Sequence, residues 1–160
     1  MTRFIGTKII TAEPMTRAAY NEFRGWALPA NENGADDGYL VEYEPDGKPN
    51  VPGRAGYVSW SPKTVFDAAY RRTDALTFGL ALEAMKRGFR VARAGWNGKG
   101  QFVLLIQGSN KLASVHGFGF GELMGEPTFG DTMFLRTVDN RLIAWTPSQS
   151  DALAEDWQIV

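Results

Sequence analysis

Around Tyr70-Arg71-Arg72-Thr73-Asp74-Ala75 one helical pattern ends and another begins, and a cut there divides a chain of 160 residues into two short pieces. Pieces of that size bury a small fraction of their surface and are marginal alone, so each must be a module of few layers and burial between subunits is expected. The boundary gives one module over residues 1–73 and a second over 74–160. No staple compensates. The chain has no cysteine, which removes disulfides, zinc–thiolate sites and thiol catalysis, and its single histidine, His116, removes multi-histidine metal sites. Neither a metal nor a cofactor is expected. Hydrophobic residues at 44% and charged ones at 22% are ordinary for a globular chain and argue against disorder. Lys and Arg number 17 against 18 acids, so no basic field marks a nucleic-acid partner. The longest apolar run, Phe102 to Ile106, has five residues, far short of a membrane span, and the N-terminus lacks a signal-peptide stretch. A cytoplasmic binder or a carboxylate-based enzyme fits this composition.

The first module opens with an apolar stretch, Phe4 to Ile10, that reads as a strand ended by Pro14. Thr16 sits where an N-cap belongs, Ala19, Tyr20 and Phe23 follow at helical spacing, and Gly25 supplies a stop. Residues 29–38 have loop chemistry. Tyr39 to Tyr43 and Tyr57 to Trp60 read as short strands joined by the turn signal Pro45-Asp46-Gly47. Ser61-Pro62 then starts a helix, with Ser as cap and Val65, Phe66 and Ala69 on one face.

In the second module Thr77 caps a helix whose apolar face is Phe78, Ala81, Leu82 and Met85, and Gly88 closes it. Phe89 to Ala94 and Gln101 to Ile106 are strands around Asn97-Gly98, a hairpin signal because both residue types tolerate positive φ. After a glycine-rich segment from Gly108 to Gly130 come strands at Met133 to Thr137 and Leu142 to Trp145, around Asp139-Asn140. Ser148 to Asp151 reads as a capping box opening a helix through Ala154, and Trp157 to Val160 closes the chain as a strand. The fold class is therefore α+β, two small modules, each a short antiparallel sheet packed on a helix.

Two motifs fail on inspection. Gly117 to Gly121 lacks the third glycine of a dinucleotide loop, since Glu122 or Met124 stands where it is needed, so it reads as a loop that places Phe118 and Phe120, as a lid or an oligomer contact. Ser148, His116 and Asp151 can be assembled as a triad on paper, but no nucleophile elbow surrounds the serine and capping already explains Ser148 and Asp151. Carboxylate catalysis by Asp151, Glu155 and Asp156 stays open, although neighbours on a short helix point apart. The aromatic–polar set carries more. Trp96 in a glycine-rich turn and Trp145 just before a capped helix either fold back onto the sheet or stack a base. In the second case Asn97, Gln149 or Asp151 read its edge. The amides at the Ser148 helix start, with Arg93 or Lys99, then meet phosphate.

Three blocks sharpen this reading. They are Thr77-Phe78-Gly79-x-Ala81-Leu82-Glu83-Ala84-Met85-Lys86-x-Gly88, Val91-Ala92-Arg93-x-Gly95-Trp96-Asn97-Gly98-Lys99-Gly100, and Trp145-x-x-Ser148-Gln149-x-Asp151-x-Leu153-Ala154-x-Asp156-Trp157. In this order they resemble the second Thoeris anti-defence family of phage proteins, over roughly residues 76–160. The resemblance implies an antiparallel sheet around one helix, a homotetramer with ligand sites at subunit contacts, and a protein that is not an enzyme. It implies sequestration of cyclic nucleotide immune signals, cyclic ADP-ribose isomers or cyclic oligonucleotides, in the cytoplasm of the bacterial host. On that basis Phe78, Trp96 and Trp145 are expected to supply apolar or stacking faces. Asn97, Gln149 and Asp151 are expected to read polar edges, and Arg93, Lys99 and Ser148 to meet phosphate or ribose. Leu80 departs from the family's glutamate, which removes that capping box, and the stretch between Ser109 and Thr132 is longer than in compact members. The alternatives are an enzyme degrading such nucleotides and a structural phage protein. Residues 1–73 resemble a module recurrent in phage and prophage proteins, seen in Thr7-Lys8-Ile9-Ile10, Arg24-Gly25-Trp26 and Ser59-Trp60-Ser61-Pro62, and are expected to be a structural or oligomerising appendage.

Overall fold

The computed structural model describes residues 1–44, 48–108 and 130–160. The chain divides into two compact units, Met1–Arg71 and Arg72–Val160. Both are α+β, each with a short antiparallel sheet packed on helix.

In the first unit, β1 (Thr11–Pro14), β2 (Gly38–Tyr43) and β3 (Tyr57–Pro62) form an antiparallel sheet in that order, with helices α1 (Arg17–Arg24) and α2 (Lys63–Ala69). The Thr16 hydroxyl accepts from the Ala19 N–H at 3.3 Å, and Gly25 ends α1 at φ 68°, where a side chain would be strained. Period-two alternation sorts β2. Leu40 faces Tyr20 of α1 and Val58 in the core, while Val41 points to the other face and is fully buried. On that second face Phe66 of α2 stacks between Tyr39 (4.1 Å between centroids) and Tyr70 (4.8 Å). Gly38 leaves room for the Trp60 ring, since a Cβ there would lie 2.4 Å from it.

Glu42 is the one buried charged side chain among the described residues. Its Oε1 accepts the Gly56 and Ala55 N–H groups at 3.0 and 2.8 Å, and its Oε2 accepts from Arg54 at 3.2 Å. These donors, the Gly56 amide foremost, outweigh burial and hold its carboxyl below the usual range. The outer edge of β3 is closed by the Asn50 side chain, which donates to the Val58 carbonyl at 2.8 Å and accepts its N–H at 2.7 Å.

Two expectations for this unit are overturned. The first strand is Thr11–Pro14, not Phe4 to Ile10, and Phe4 and Ile5 stand 89% and 101% exposed. Thr11 pairs with Glu42 and β2 ends one residue later, so the earlier apolar residues have no neighbour to ladder with. Ser61 does not cap α2. It belongs to β3 opposite Tyr39, the helix begins at Lys63, and its N-cap is Pro62, with no side-chain bond. Val65 and Ala69 are exposed, leaving Phe66 to make the contact. The turn expected at residues 45–47 lies outside the described residues.

In the second unit, β4 (Val91–Arg93), β5 (Phe102–Ile106), β6 (Thr132–Arg136), β7 (Leu142–Ala144) and β8 (Trp157–Ile159) form an antiparallel sheet ordered β7-β6-β5-β4-β8. Helix α3 (Phe78–Lys86) presses Ala81, Ala84 and Met85 against Leu76, Val91, Val103 and Trp157. Thr77 caps α3, its hydroxyl accepting from the Leu80 N–H at 3.4 Å. Gly88 follows the helix at φ 88°, and Asn140 takes φ 63° in the β6–β7 turn.

Several boundaries move. Phe89 to Ala94 contracts to Val91–Arg93, and the last helix, α4 (Gln149–Ala152), stops before Ala154. The β4–β5 connection has the expected length to within one residue at each end, but neither Asn97 nor Gly98 takes a positive φ. It runs over residues 94–101 with the positive φ at Gly100, 72°. The glycine-rich segment, including His116 and Gly117 to Gly121, lies outside the described residues for 109–129. Among the described residues no helix is long and apolar enough to cross a membrane.

Candidate functional site

Alternation along β8 turns Trp157 inward, and its indole becomes the hub of an aromatic cluster. Trp157 is 0% exposed, and its Nε1 donates to the Asp151 carbonyl at 2.9 Å, the partner a buried indole needs. Phe78 and Trp96 lie 5.4 Å away between centroids and Trp145 6.0 Å, the two tryptophans edge-on. Trp145 also meets Trp96 at 6.1 Å and Phe78 at 6.3 Å. The three expected aromatics therefore come together from the start of α3, the β4–β5 connection and the segment before α4. All three are half-buried, each with part of its ring packed on the core. The two readings left open for Trp96 are compatible, since a ring can rest on the sheet and keep a free portion.

The same segments carry an ion-pair network. The Arg93 Nε donates to Asp156 Oδ1 at 2.7 Å and its Nη1 to Asp151 Oδ1 at 3.0 Å and the Ser150 carbonyl at 3.4 Å. Asp156 Oδ2 accepts the Gly95 N–H at 3.0 Å. Asp151 Oδ2 accepts the Ser148 N–H at 3.2 Å and hydroxyl at 2.6 Å, and Ser148 Oγ accepts the Asp151 N–H at 3.1 Å, which completes the capping box. Asp156 sits below the usual carboxylate range, held there first by Arg93 and then by the Gly95 amide against the pull of burial. For Asp151 burial pushes upward, but the Ser148 hydroxyl and Arg93 outweigh it and the net shift is down. Arg93 is raised by the same two carboxylates, Asp156 first.

This network changes the chemistry expected of its members. Arg93 is half-enclosed by two carboxylates, and the start of α4 already carries the Asp151 carboxylate. Asn97, Lys99, Ser148 and Gln149 are exposed, and among the described residues no acid pairs with Lys99. The three acids considered for catalysis do not converge on an open space: Asp151 and Asp156 share Arg93, and Glu155 is exposed. Both shared carboxyls are shifted away from the direction a general acid at neutral pH requires. Among the described residues no three metal-ligating side chains gather. Sequence reasoning left Trp157 out of the site and weighed Asp156 only as a catalytic carboxylate. Their signal was local, an acid directly before an inward-facing tryptophan at the start of a strand.

Residues 76–160 match the model of the Thoeris anti-defense 2-like domain. Over 85 residues, 53% of this chain and 94% of the relative, the chain is 55% identical to a protein called Thoeris anti-defense 2 from Bacillus phage SP01.

Proposed function

The chain belongs to the Thoeris anti-defense 2-like family through residues 76–160, and from that premise we propose that it is a phage or prophage protein that captures a cyclic nucleotide immune signal and holds it unchanged. The signal is of the cyclic ADP-ribose isomer or cyclic oligonucleotide class. The observation that carries the reading is the meeting of Phe78, Trp96 and Trp145, half-buried around one buried indole, beside the exposed polar side chains of Asn97, Lys99 and Gln149. Rings anchored on one side and open on the other are what base stacking requires. Asn97 and Gln149 read polar edges and Lys99 meets phosphate. Arg93, Ser148 and Asp151 serve the site from behind, because their charges and hydroxyls are spent on one another. The protein is a binder and not an enzyme, works as a homo-oligomer in the cytoplasm of the host, and takes neither nucleic acid nor membrane as partner. Residues 1–71 are an appendage with a structural or oligomerising role.

The test is capture and release. The protein is mixed with cyclic ADP-ribose isomers and cyclic dinucleotides, filtered, heat-denatured, and the released compound is assayed. Intact ligand is expected, together with a thermal shift equivalent to about 2.7 kcal/mol when ligand stands at about 100 times its Kd. Altered ligand would make the protein an enzyme, and no retention of any compound would leave a structural role.

A further inference from the structure

The geometry points to Asp156 as the positioning residue of the Trp96 turn, working through Arg93 as a brace rather than as a phosphate ligand. This one residue binds three consecutive residues at the foot of the turn. Its Oδ1 takes the Arg93 Nε at 2.7 Å, its carbonyl takes the Ala94 N–H at 3.0 Å, and its Oδ2 takes the Gly95 N–H at 3.0 Å. Trp96 follows directly, its own N–H donating to the Arg93 carbonyl at 3.3 Å. A Cβ on residue 95 would stand 3.2 Å from Asp156 Oδ2, so glycine lets the carboxylate close on the backbone. Arg93 carries the restraint onward to α4 through Asp151 and the Ser150 carbonyl. A planar guanidinium holds two carboxylates with donors in fixed directions, which a lysine ammonium does less well. One guanidinium between two carboxylates sums to a net charge of about −1, a poor landing place for phosphate. The ring of Trp96 is thus aimed by a carboxylate that need not touch the ligand.

The affinity arm of the test rests on the proposed capture of nucleotides, and a second arm does not. In the ligand-free full-length protein, amide exchange at Gly95 and Trp96 is compared between wild type, Asp156→Asn and Arg93→Lys, with Val103 as a core reference. Losing a charge-assisted hydrogen bond is expected to speed Gly95 exchange about tenfold relative to Val103. Titration with cyclic ADP-ribose isomers is expected to show each single variant weakened about tenfold, with the double variant no worse than the weaker single, because both act through one brace. The salt dependence of Kd is expected to flatten for Lys99→Ala, which removes an exposed cation. Should Asp156→Asn unfold the unit, Asp156→Glu keeps the charge while displacing the carboxylate, and the same gain in Gly95 exchange is expected. Unchanged Gly95 exchange, or tighter binding once Asp156 is neutralised and Arg93 freed, would overturn the assignment. If wild type retains none of the compounds, the capture reading fails alone and Gly95 exchange decides the positioning role.

Discussion

Replacing Trp157 with Phe tests whether this indole is the hub of the second unit. The change deletes the N–H that donates to the Asp151 carbonyl at 2.9 Å, costing about 1 kcal/mol. It also removes one of two fused rings at a site with 0% exposure, where complete truncation to Ala costs about 3–5 kcal/mol. A phenyl ring retains much of the volume but loses part of the contacts to Phe78, Trp96 and Trp145, so the packing loss is about 1–2 kcal/mol. The total is about 2–3 kcal/mol. In a unit of this length that lowers Tm by about 10–20 °C at about 4–8 °C per kcal/mol. Thermal unfolding followed by near-ultraviolet circular dichroism and by calorimetry reads both the shift and the loss of tryptophan order. A fall of under about 3 °C with an unchanged aromatic spectrum would refute the central placement of Trp157.

Gly38→Ala is expected to destabilise the first unit by about 1–3 kcal/mol in guanidinium unfolding, because its Cβ would stand 2.4 Å from the Trp60 ring and 2.5 Å from the Ser61 carbonyl. A variant as stable as wild type would mean that Trp60 does not fill that space. Asp156 and Asp151 are held below the usual aspartate range, so their contribution to stability is fully present above the unfolded value near 4 and is lost as pH falls through the lowered folded values. Tm should therefore be flat on their account from pH 8 to 5 and fall below about pH 4. Asp156→Asn should fall less steeply over that acid range, and an identical slope would deny Asp156 a depressed pKa.

The signals that were legible in the sequence are the ones that close within a few residues. Thr16, Thr77 and Ser148 each cap the helix they precede, and Gly25 and Gly88 take the positive φ that ends one. What was not legible depends on partners distant in the chain. Phe4 to Ile10 has the composition of a strand, yet β2 ends before it can supply a ladder. Asn97-Gly98 has the residues of a positive-φ turn, yet the positive φ falls at Gly100, and Asp156, far along the chain, anchors the connection at Gly95. Glu42 looks like a surface acid on an alternating strand until Arg54, Ala55 and Gly56 are brought to it. In the candidate site Trp96 and Trp145 were found from their placement in a turn and before a helix start, and Phe78 from the resemblance, and the structure brings the three together. The ion pairs of Arg93 with Asp151 and Asp156 were not readable, because nothing local says that residues so far apart in the chain will meet.

The most direct measurement is the affinity of Trp96→Ala for a cyclic ADP-ribose isomer that wild type retains, taken by calorimetric titration at a temperature where circular dichroism shows the variant fully folded. If Trp96 stacks a base, the loss is about 1–3 kcal/mol, roughly tenfold to a hundredfold in Kd, with the fold intact. Wild-type affinity in the folded variant would contradict the account and take the binding surface away from this turn.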